Sequence, residues 1–443
     1  MRTADMVLFV DNVSNELDLA CALKHVAWER FGMEIAIESL KSNLSTTLEQ
    51  WETRAIAVPS FSSRHDSGVQ EILNRWTDVR IVNLDLSWRV GADDHDDILP
   101  RDQYARSHAV HLASNDRRRE ALLASGVPAD RVAITGSLTC GLYQEPYRNL
   151  FSVQRRRLAA QYALYPDRSW LLLTTHHGHG AKLQHVRSDS VSRSSTHGAL
   201  HESPRASLME IGDWCRAGAE AGRCEIIVRS DDQADVEAIR NHVEESVGEA
   251  ALDRLHFVND DSHRHWIMAS DAVLTTDSNV LIEAAVAERP AYLLSPETKV
   301  ELRAGGWREN WNEMSSRIRT GAEFVNLVRR GPTPFSTSVL RQWVHRELLG
   351  NGDPLSAAVS MMASVVGGSH YIPPAPTLPV LDRLQLRWRN SSFSRRRVKA
   401  QNSCRQPHST LEFHRESFAA EVARRMTAWQ QVISLPQRLA RVA

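Results

Sequence analysis

The chain has 443 residues, a formal net charge of −1 and 42% hydrophobic residues, the balance of a globular protein of two or three domains rather than of a disordered or fibrous one. No nucleic-acid or other polyanionic partner follows from so small a charge, no apolar run approaches the ~18 residues of a membrane span, and the opening MRTADMVLFVDN places an acid directly behind a short apolar run, unlike a signal peptide. The protein is therefore expected to stay in the cytoplasm, and its five widely spaced cysteines (Cys21, Cys140, Cys215, Cys224, Cys404), which form no CxxC pair, argue against a disulfide framework or a zinc site.

Residues Met6 to Val10 form a buried-strand run ending at Asp11-Asn12. Glu16 to Glu29 then sets Leu17, Ala20, Leu23 and Ala27 at helical spacing, and Met33 to Ile37 is the next strand. A βαβ opening predicts a parallel sheet with helices on both faces and ligands at the carboxyl ends of its strands. Asp11 lies at such an end. A strand at Ala55 to Val58, a helix over Gly68 to Trp76 and a strand at Val79 to Leu84 continue the alternation, the last delivering Asp85 and Trp88 to the same edge. The acidic loop Asp93-Asp94-His95-Asp96-Asp97 reads either as a divalent-cation loop or as solvated acids, the commoner fate of such runs. Strand Ala109 to Ala113, helix Asn115 to Ser125 and strand Val132 to Thr135, followed by Gly136-Ser137, complete a first domain expected over 1–167.

Trp170 to Thr175 restarts the strand pattern and breaks into His176-His177-Gly178-His179-Gly180. Imidazoles suit zinc or nickel, but no carboxylate or cysteine stands at metal-ligand spacing. That leaves phosphate contact or a solvated turn, and no metal is expected. His185 to Ser207, rich in Ser, Arg and His, reads as a mobile loop beside this turn. Next come a helix over Leu208 to Ala221, a strand at Glu225 to Val228 with Arg229 at its tip, a helix over Asp235 to Glu249, a strand at Leu255 to Val258 and a short helix over His265 to Ser270. Ala272 to Thr275 is a strand that ends in Thr276-Asp277-Ser278-Asn279 and runs into an apolar helix from Val280 to about Glu288. A helix head offers unpaired N–H groups and partial positive charge, so it can seat a phosphate, and Glu283, one turn inside, would then reach ribose hydroxyls. The same residues also read as a plain helix cap and a solvated first-turn acid. A helical region over Phe335 to Val366 closes a second domain expected over 168–366.

From 367 to 443 the character changes. GGSHYIPPAPTLPV is a Pro-rich linker, and from Arg383 onward basic residues outnumber acidic ones about four to one. Phe413 to Ile433 can form a helix with Phe418, Val422, Met426 and Trp429 on one side and Arg415, Arg424 and Arg425 elsewhere. Such a helix suits an anionic membrane surface or a protein partner, or is a solvated appendage.

The segment ILPRDQYARSHAVHLASNDRRREALLASGVPADRVAITGS, with LYQEPYRNLFSVQRRRLAAQYALYPDRSWLLL after it, resembles the bacterial surface carbohydrate (surface polysaccharide) biosynthesis proteins. These are related to the glycerophosphotransferases of teichoic acid synthesis and to UDP-N-acetylglucosamine 2-epimerases. EIIVRSD resembles the segment where relatives carry an Arg-Pro-His-Pro phrase, and TTDSNVLIEAAVAERPAYLL resembles the donor-phosphate segment of that superfamily. The resemblance spans about residues 80 to 295. It implies an α/β fold of GT-B type: two Rossmann-like domains facing a cleft, donor nucleotide on the second and acceptor in the cleft, with a basic, partly helical C-terminal tail. It further implies that Ser278 and Asn279, beside Asp277, bind donor phosphate, that Glu283 contacts the ribose and that Arg229 faces the phosphates. The histidine expected after Arg229 is replaced by Ser230-Asp231-Asp232, a departure after which either the cluster His176-His177-His179 meets the phosphate charge or the donor is held less tightly.

The activity so implied is glycosyl transfer from a nucleotide-sugar donor to a cell-surface glycan or lipid-linked acceptor, without a further cofactor, at the inner face of a membrane. The alternatives are a UDP-N-acetylhexosamine 2-epimerase, a CDP-glycerol glycerophosphotransferase, or a non-catalytic scaffold of the same fold. Sugar transfer needs a base for the acceptor hydroxyl or a carboxylate that stabilises charge at the anomeric carbon. Asp11 and Asp85 are the candidates in the first domain, with His95 third; Asp11 reads equally as a helix cap and Asp85 as a turn closer.

Overall fold

The computed structural model describes residues 1–41, 44–66, 68–86, 99–152, 154–175, 198–222, 224–230, 233–244, 253–258, 262–276, 278–295, 316–333, 343, 345–350, 352–368 and 415–440. Its first half alternates β1 (Arg2–Val10), α1 (Val13–Phe31), β2 (Ile35–Ser39), α2 (Leu44–Gln50), β3 (Trp51–Val58), α3 (Val69–Arg75), β4 (Arg80–Asn83), α4 (Gln103–His108), β5 (Ala109–Ala113), α5 (Asp116–Ala124) and β6 (Val132–Ile134). Three short helices, α6 (Leu138–Gly141), α7 (Arg148–Ser152) and α8 (Arg155–Tyr162), lead to the second half. That half holds β7 (Ser169–Thr175), α9 (Gly198–Ala221), β8 (Cys224–Ser230), α10 (Gln233–Glu244), β9 (Leu255–Val258), α11 (His263–Ala269), β10 (Ala272–Thr275), α12 (Ser278–Val286), β11 (Ala291–Leu294), β12 (Ser316–Ile318) and α13 (Gly321–Arg330). Two C-terminal helices follow, α14 (Pro354–Val366) and α15 (Arg415–Ala440).

The strands form two six-stranded parallel sheets, in the orders β2-β1-β3-β4-β5-β6 and β12-β11-β10-β7-β8-β9. The reason lies in the apolar runs. Along β1, Met6, Leu8 and Val10 enter one core cluster while Val7 and Phe9 enter another on the opposite face, as the two-residue period of a strand buried on both sides requires. Helix α1 opens on Asn12, whose side chain accepts from the Asn15 N–H, and closes on Gly32 at φ 60°, a left-handed position that glycine fills without strain.

Three of the departures from the sequence expectation bear on the architecture. Helix α9 begins at Gly198, inside the stretch expected to be a loop. Helix α2, of sequence LSTTLEQ, is too short and polar to announce itself by periodicity. The third departure is one of placement: α14, expected to close the second domain, packs instead on α1, β3, β4 and α6 of the first. Arg80 Nη1 donates to the carbonyls of Val365 (2.6 Å) and Val366 (2.9 Å) at its end. A turn of π-helix, His345–Leu349, precedes it; there Leu348 O accepts from the Ser137 N–H at 2.5 Å and Glu347 O from Asn115 Nδ2 at 3.0 Å. The approach is close enough that Gly136, at φ 86°, would bring a Cβ within 2.9 Å of the Leu349 carbonyl.

Helix α15 docks on α1 and α7. Phe418 and Trp429 are buried, and the Trp429 ring lies 5.8 Å from Tyr147 and 6.1 Å from Phe151. The apolar side that suggested a membrane contact is thus covered by protein. Among the described residues no helix is long and apolar enough to cross a membrane.

Candidate functional site

Each helix head in these sheets follows the carboxyl end of a strand: α1 follows β1, α11 follows β9 and α12 follows β10. The two domains touch through those heads. Arg264, second residue of α11, donates from Nη1 to the Asn15 carbonyl in the first turn of α1 at 2.7 Å, and Tyr143, just beyond α6, donates its hydroxyl to Glu283 of α12 at 2.7 Å. The sheets therefore meet carboxyl edge to carboxyl edge.

On the second sheet, Arg229 stands in register between Thr174 of β7 and Val258 of β9 and is 3% exposed. Around it the strand tips end in hydroxyls. Ser230 Oγ donates to the Thr175 carbonyl at 2.9 Å, and Thr174 Oγ1 donates to Thr275 Oγ1 at 2.8 Å. Ser278 and Asn279 are the first two residues of the nine-residue α12, and only their backbone is described. Asp277, His176, His177 and His95, with the acidic loop around the last, lie outside the described residues.

Glu283 occupies a different environment from a ribose-facing acid on an open helix head. It is 7% exposed, and its Oε2 takes the Tyr143 hydroxyl and lies 2.8 Å from His263 Nε2 and 3.6 Å from Arg264 Nε. Burial alone would raise its pKa, but His263 and Arg264, with the hydrogen bonds from His263 and Tyr143, hold it down at about 2. The carboxylate stays charged and already has partners reaching it from other segments.

The first sheet presents carboxylates. Asp11, at the tip of β1, is exposed and pairs with Lys41 at 3.1 Å. Directly beneath it, Glu16 Oε2 accepts from the backbone N–H groups of Asp11 (2.7 Å) and Asn12 (3.2 Å), and burial pushes its carboxyl up to about 7 despite those bonds. Asp85, at φ 57°, is held by Arg118 through a fork: Nε to Oδ2 at 2.7 Å and Nη2 to Oδ1 at 2.6 Å. Both side chains are buried, 5% and 0% exposed, and burial raises the Asp85 pKa against the opposing pull of Arg118. Asp85 lines a small cleft, of about 40 Å³, at the ends of β4, β5 and β6, together with Ser114, Thr135, Ser137 and Thr139.

Sequence reasoning placed Asp11, Asp85, Arg229 and Glu283 at strand or helix ends but missed the groups that engage them. Glu16 carried a signal, since an Asn cap with Glu four residues on approximates a capping box. Arg118, Tyr143, His263 and Arg264 carried none, being brought to the site only by folding. Among the described residues no group of three or more His, Cys, Asp and Glu side chains is arranged to hold a metal ion.

No protein-family model matches the sequence, and no curated protein matches it. The backbone, by contrast, is similar to solved structures. The UDP-GlcNAc 2-epimerase from Methanocaldococcus jannaschii superposes with a TM-score of 0.51 at 10% identity, over 82% of this chain and 99% of that one. A variant of the wall teichoic acid polymerase TagF superposes with a TM-score of 0.53 at 11% identity, over 82% of this chain and 90% of that one. Both are of the kinds that the sequence segments resemble, and at these identities the likeness is one of fold. The chain has the GT-B-like architecture, two Rossmann-like domains meeting at the carboxyl edges of their sheets.

Proposed function

We propose that the chain is a GT-B glycosyltransferase that moves a sugar from a nucleotide-sugar donor, seated on the second sheet's edge, to an acceptor held over the first. The observation that carries this reading is the contact of two carboxyl edges, with Asp11 and Asp85 at the strand ends of the first and Arg229, among hydroxyl-bearing strand tips beside a helix head, at the second. Donor phosphates would rest on the N–H groups at Ser278 and Asn279, with Arg229 and the histidines that follow β7, His176 and His177, supplying positive charge. These groups meet the leaving charge by means that call for no metal. The acceptor hydroxyl forms its bond to the anomeric carbon as the bond to the nucleotide phosphate breaks, and its proton passes to a carboxylate. Asp11 suits that role because it is the exposed acid of the edge; Asp85, with both oxygens engaged by Arg118, suits orienting an acceptor hydroxyl in the adjoining cleft, and His95 is the remaining base candidate.

The resemblance to surface polysaccharide proteins, and the name of one structural neighbour, a wall teichoic acid polymerase, favour a cell-surface glycan or lipid-linked acceptor met at the cytoplasmic face of the membrane. Contact with anionic lipid would rest on the basic residues of the tail, since the apolar side of α15 is covered. A thermal-shift panel of UDP-, CDP-, CMP-, GDP- and dTDP-linked donors tests the reading, because a ligand that binds only the folded state raises its melting temperature. One nucleotide class should stabilise the protein. Conversion of UDP-N-acetylglucosamine without any acceptor would instead identify an epimerase, glyceryl phosphate transfer from CDP-glycerol a glycerophosphotransferase, and stabilisation by no donor a scaffold.

A further inference from the structure

Five charged groups from three distant stretches of chain form a buried row. Arg425 of α15 reaches Asp18 of α1 at 2.6 Å and Glu421 of its own helix at 2.7 Å. Asp18 lies 4.0 Å from Arg264 of α11, and Arg264 lies 3.6 Å from Glu283 of α12, which His263 also contacts. The side chains of Asp18 and Arg264 are 2% and 1% exposed. The signs alternate along the row.

The middle of the row is loosely tied. Arg264 Nε is buried without a hydrogen-bond partner, and Arg264 comes no nearer than 4.0 Å to Asp18 and 3.6 Å to Glu283, so it stands between two carboxylates and is bonded tightly to neither. Its Nη1 is anchored on the Asn15 carbonyl. We propose that Asp18 and Arg425 are positioning residues for the donor side: through Arg264 they set the place of Glu283, so that docking of the C-terminal helix and binding of nucleotide at the head of α12 are coupled. The nucleotide half of this statement rests on the function proposed above.

The physical argument is one of buried charge. Without Arg425, Asp18 keeps Arg264 as its nearest cation, and a buried charge that has lost its partner draws the next one in because water cannot replace it. Arg264 would move toward Asp18 and away from Glu283. By linkage the effect runs both ways: a ligand that engages Glu283 alters the hold of α15 on α1 by the same factor. The other groups facing Asp18 are His265 and Ser262 beside Arg264, and Cys21 on α1; those facing Glu283 are Tyr143 and Cys140.

The test is a double-mutant cycle on the full chain with Arg425→Gln, Glu283→Gln and both together, since these two residues do not touch. Urea unfolding should show non-additivity of at least about threefold in the unfolding constant; additive effects overturn the proposal. Calorimetry with UDP and with CDP supplies the second arm. Arg425→Gln should weaken the nucleotide that wild type binds by about tenfold, and the double variant should bind no more weakly than Glu283→Gln alone; independent losses refute the coupling. Arg425→Lys, which keeps a charge beside Asp18, should restore most of the affinity and also serves if Arg425→Gln fails to fold. A lysine variant that folds but binds as weakly as the glutamine variant would show that packing rather than charge is at work, and the proposal falls. If wild type binds neither nucleotide, the transferase reading fails while the unfolding cycle still decides the coupling.

Discussion

The carboxyl edge of the first sheet and that of the second have the same backbone geometry and opposite chemistry. The first ends in Asp11, Glu16 and Asp85, each held by a cation or by backbone donors; the second ends in Thr174, Thr175, Ser230, Thr275 and Arg229, with a helix head beside them. A parallel sheet with its helix heads offers the same donors at either edge, so on the proposed reading a handful of side chains at strand tips would fit one edge for a proton acceptor and the other for an anion. The comparison also shows that a strand-end acid is rarely left open: among the three, Asp11 alone is well exposed.

Breaking the first edge at its most buried point should have the largest effect. Asp85→Leu leaves Arg118 charged in the interior and should cost about 3–5 kcal/mol, whereas Asp85→Leu with Arg118→Leu should recover much of the loss; urea midpoints measure both. Asp11→Asn should lower kcat about 10²–10⁴-fold if Asp11 is the base, while its exposed pair with Lys41 contributes at most about 1 kcal/mol to stability. A variant with full turnover would move the base elsewhere.

The pH dependence separates the buried row of charges from Glu16 at the first edge. Asp18 and Glu283 are both held down at about 2, so the stability they contribute is complete above their ordinary values of 3.8 and 4.5 and is lost as pH falls toward 2. Glu283→Gln should flatten that acid limb in a pH series of unfolding midpoints. Glu16 has the opposite sign: with its pKa raised from 4.5 to about 7, the folded state holds the proton more tightly, so stability declines as pH rises through that window. Glu16→Gln should remove the decline and raise the midpoint at pH 8. The smallest effect is expected at Thr275→Val, which removes the bond from Thr174 and should cost about 1 kcal/mol; an unchanged melting temperature would show the hydroxyl pair to be neutral.

Much of the fold was legible because a parallel strand buried on both faces must be written as a continuous apolar run, as MVLFV and the WLLL of WLLLTT are. The alternation of strands and helices makes the sheets parallel, and the strand tips then give Asp11, Asp85 and Arg229 their place at an edge. The helix head at Ser278 was legible for the same reason, as a polar cluster between a strand run and an apolar helix. Helix α15 could be drawn from its spacing of Phe418, Val422, Met426 and Trp429, although what covers that face could not.

By itself, then, the sequence determined where most of the strands and longer helices lie and which polar residues stand at the carboxyl ends, because those are local consequences of periodicity and capping. Only the tertiary structure decided the company those residues keep. Asp85 meets Arg118 from 33 residues away, Glu283 meets Tyr143 from 140 away, and Asp18 meets Arg425 from 407 away; in each pair the charge or hydrogen-bonding group is stable in the interior only because folding delivers its partner, and no local pattern encodes a partner so distant. The return of α14 to the first domain is of the same kind, since its apolar residues would suit either domain and only the packing space left beside α1 and β4 selects one.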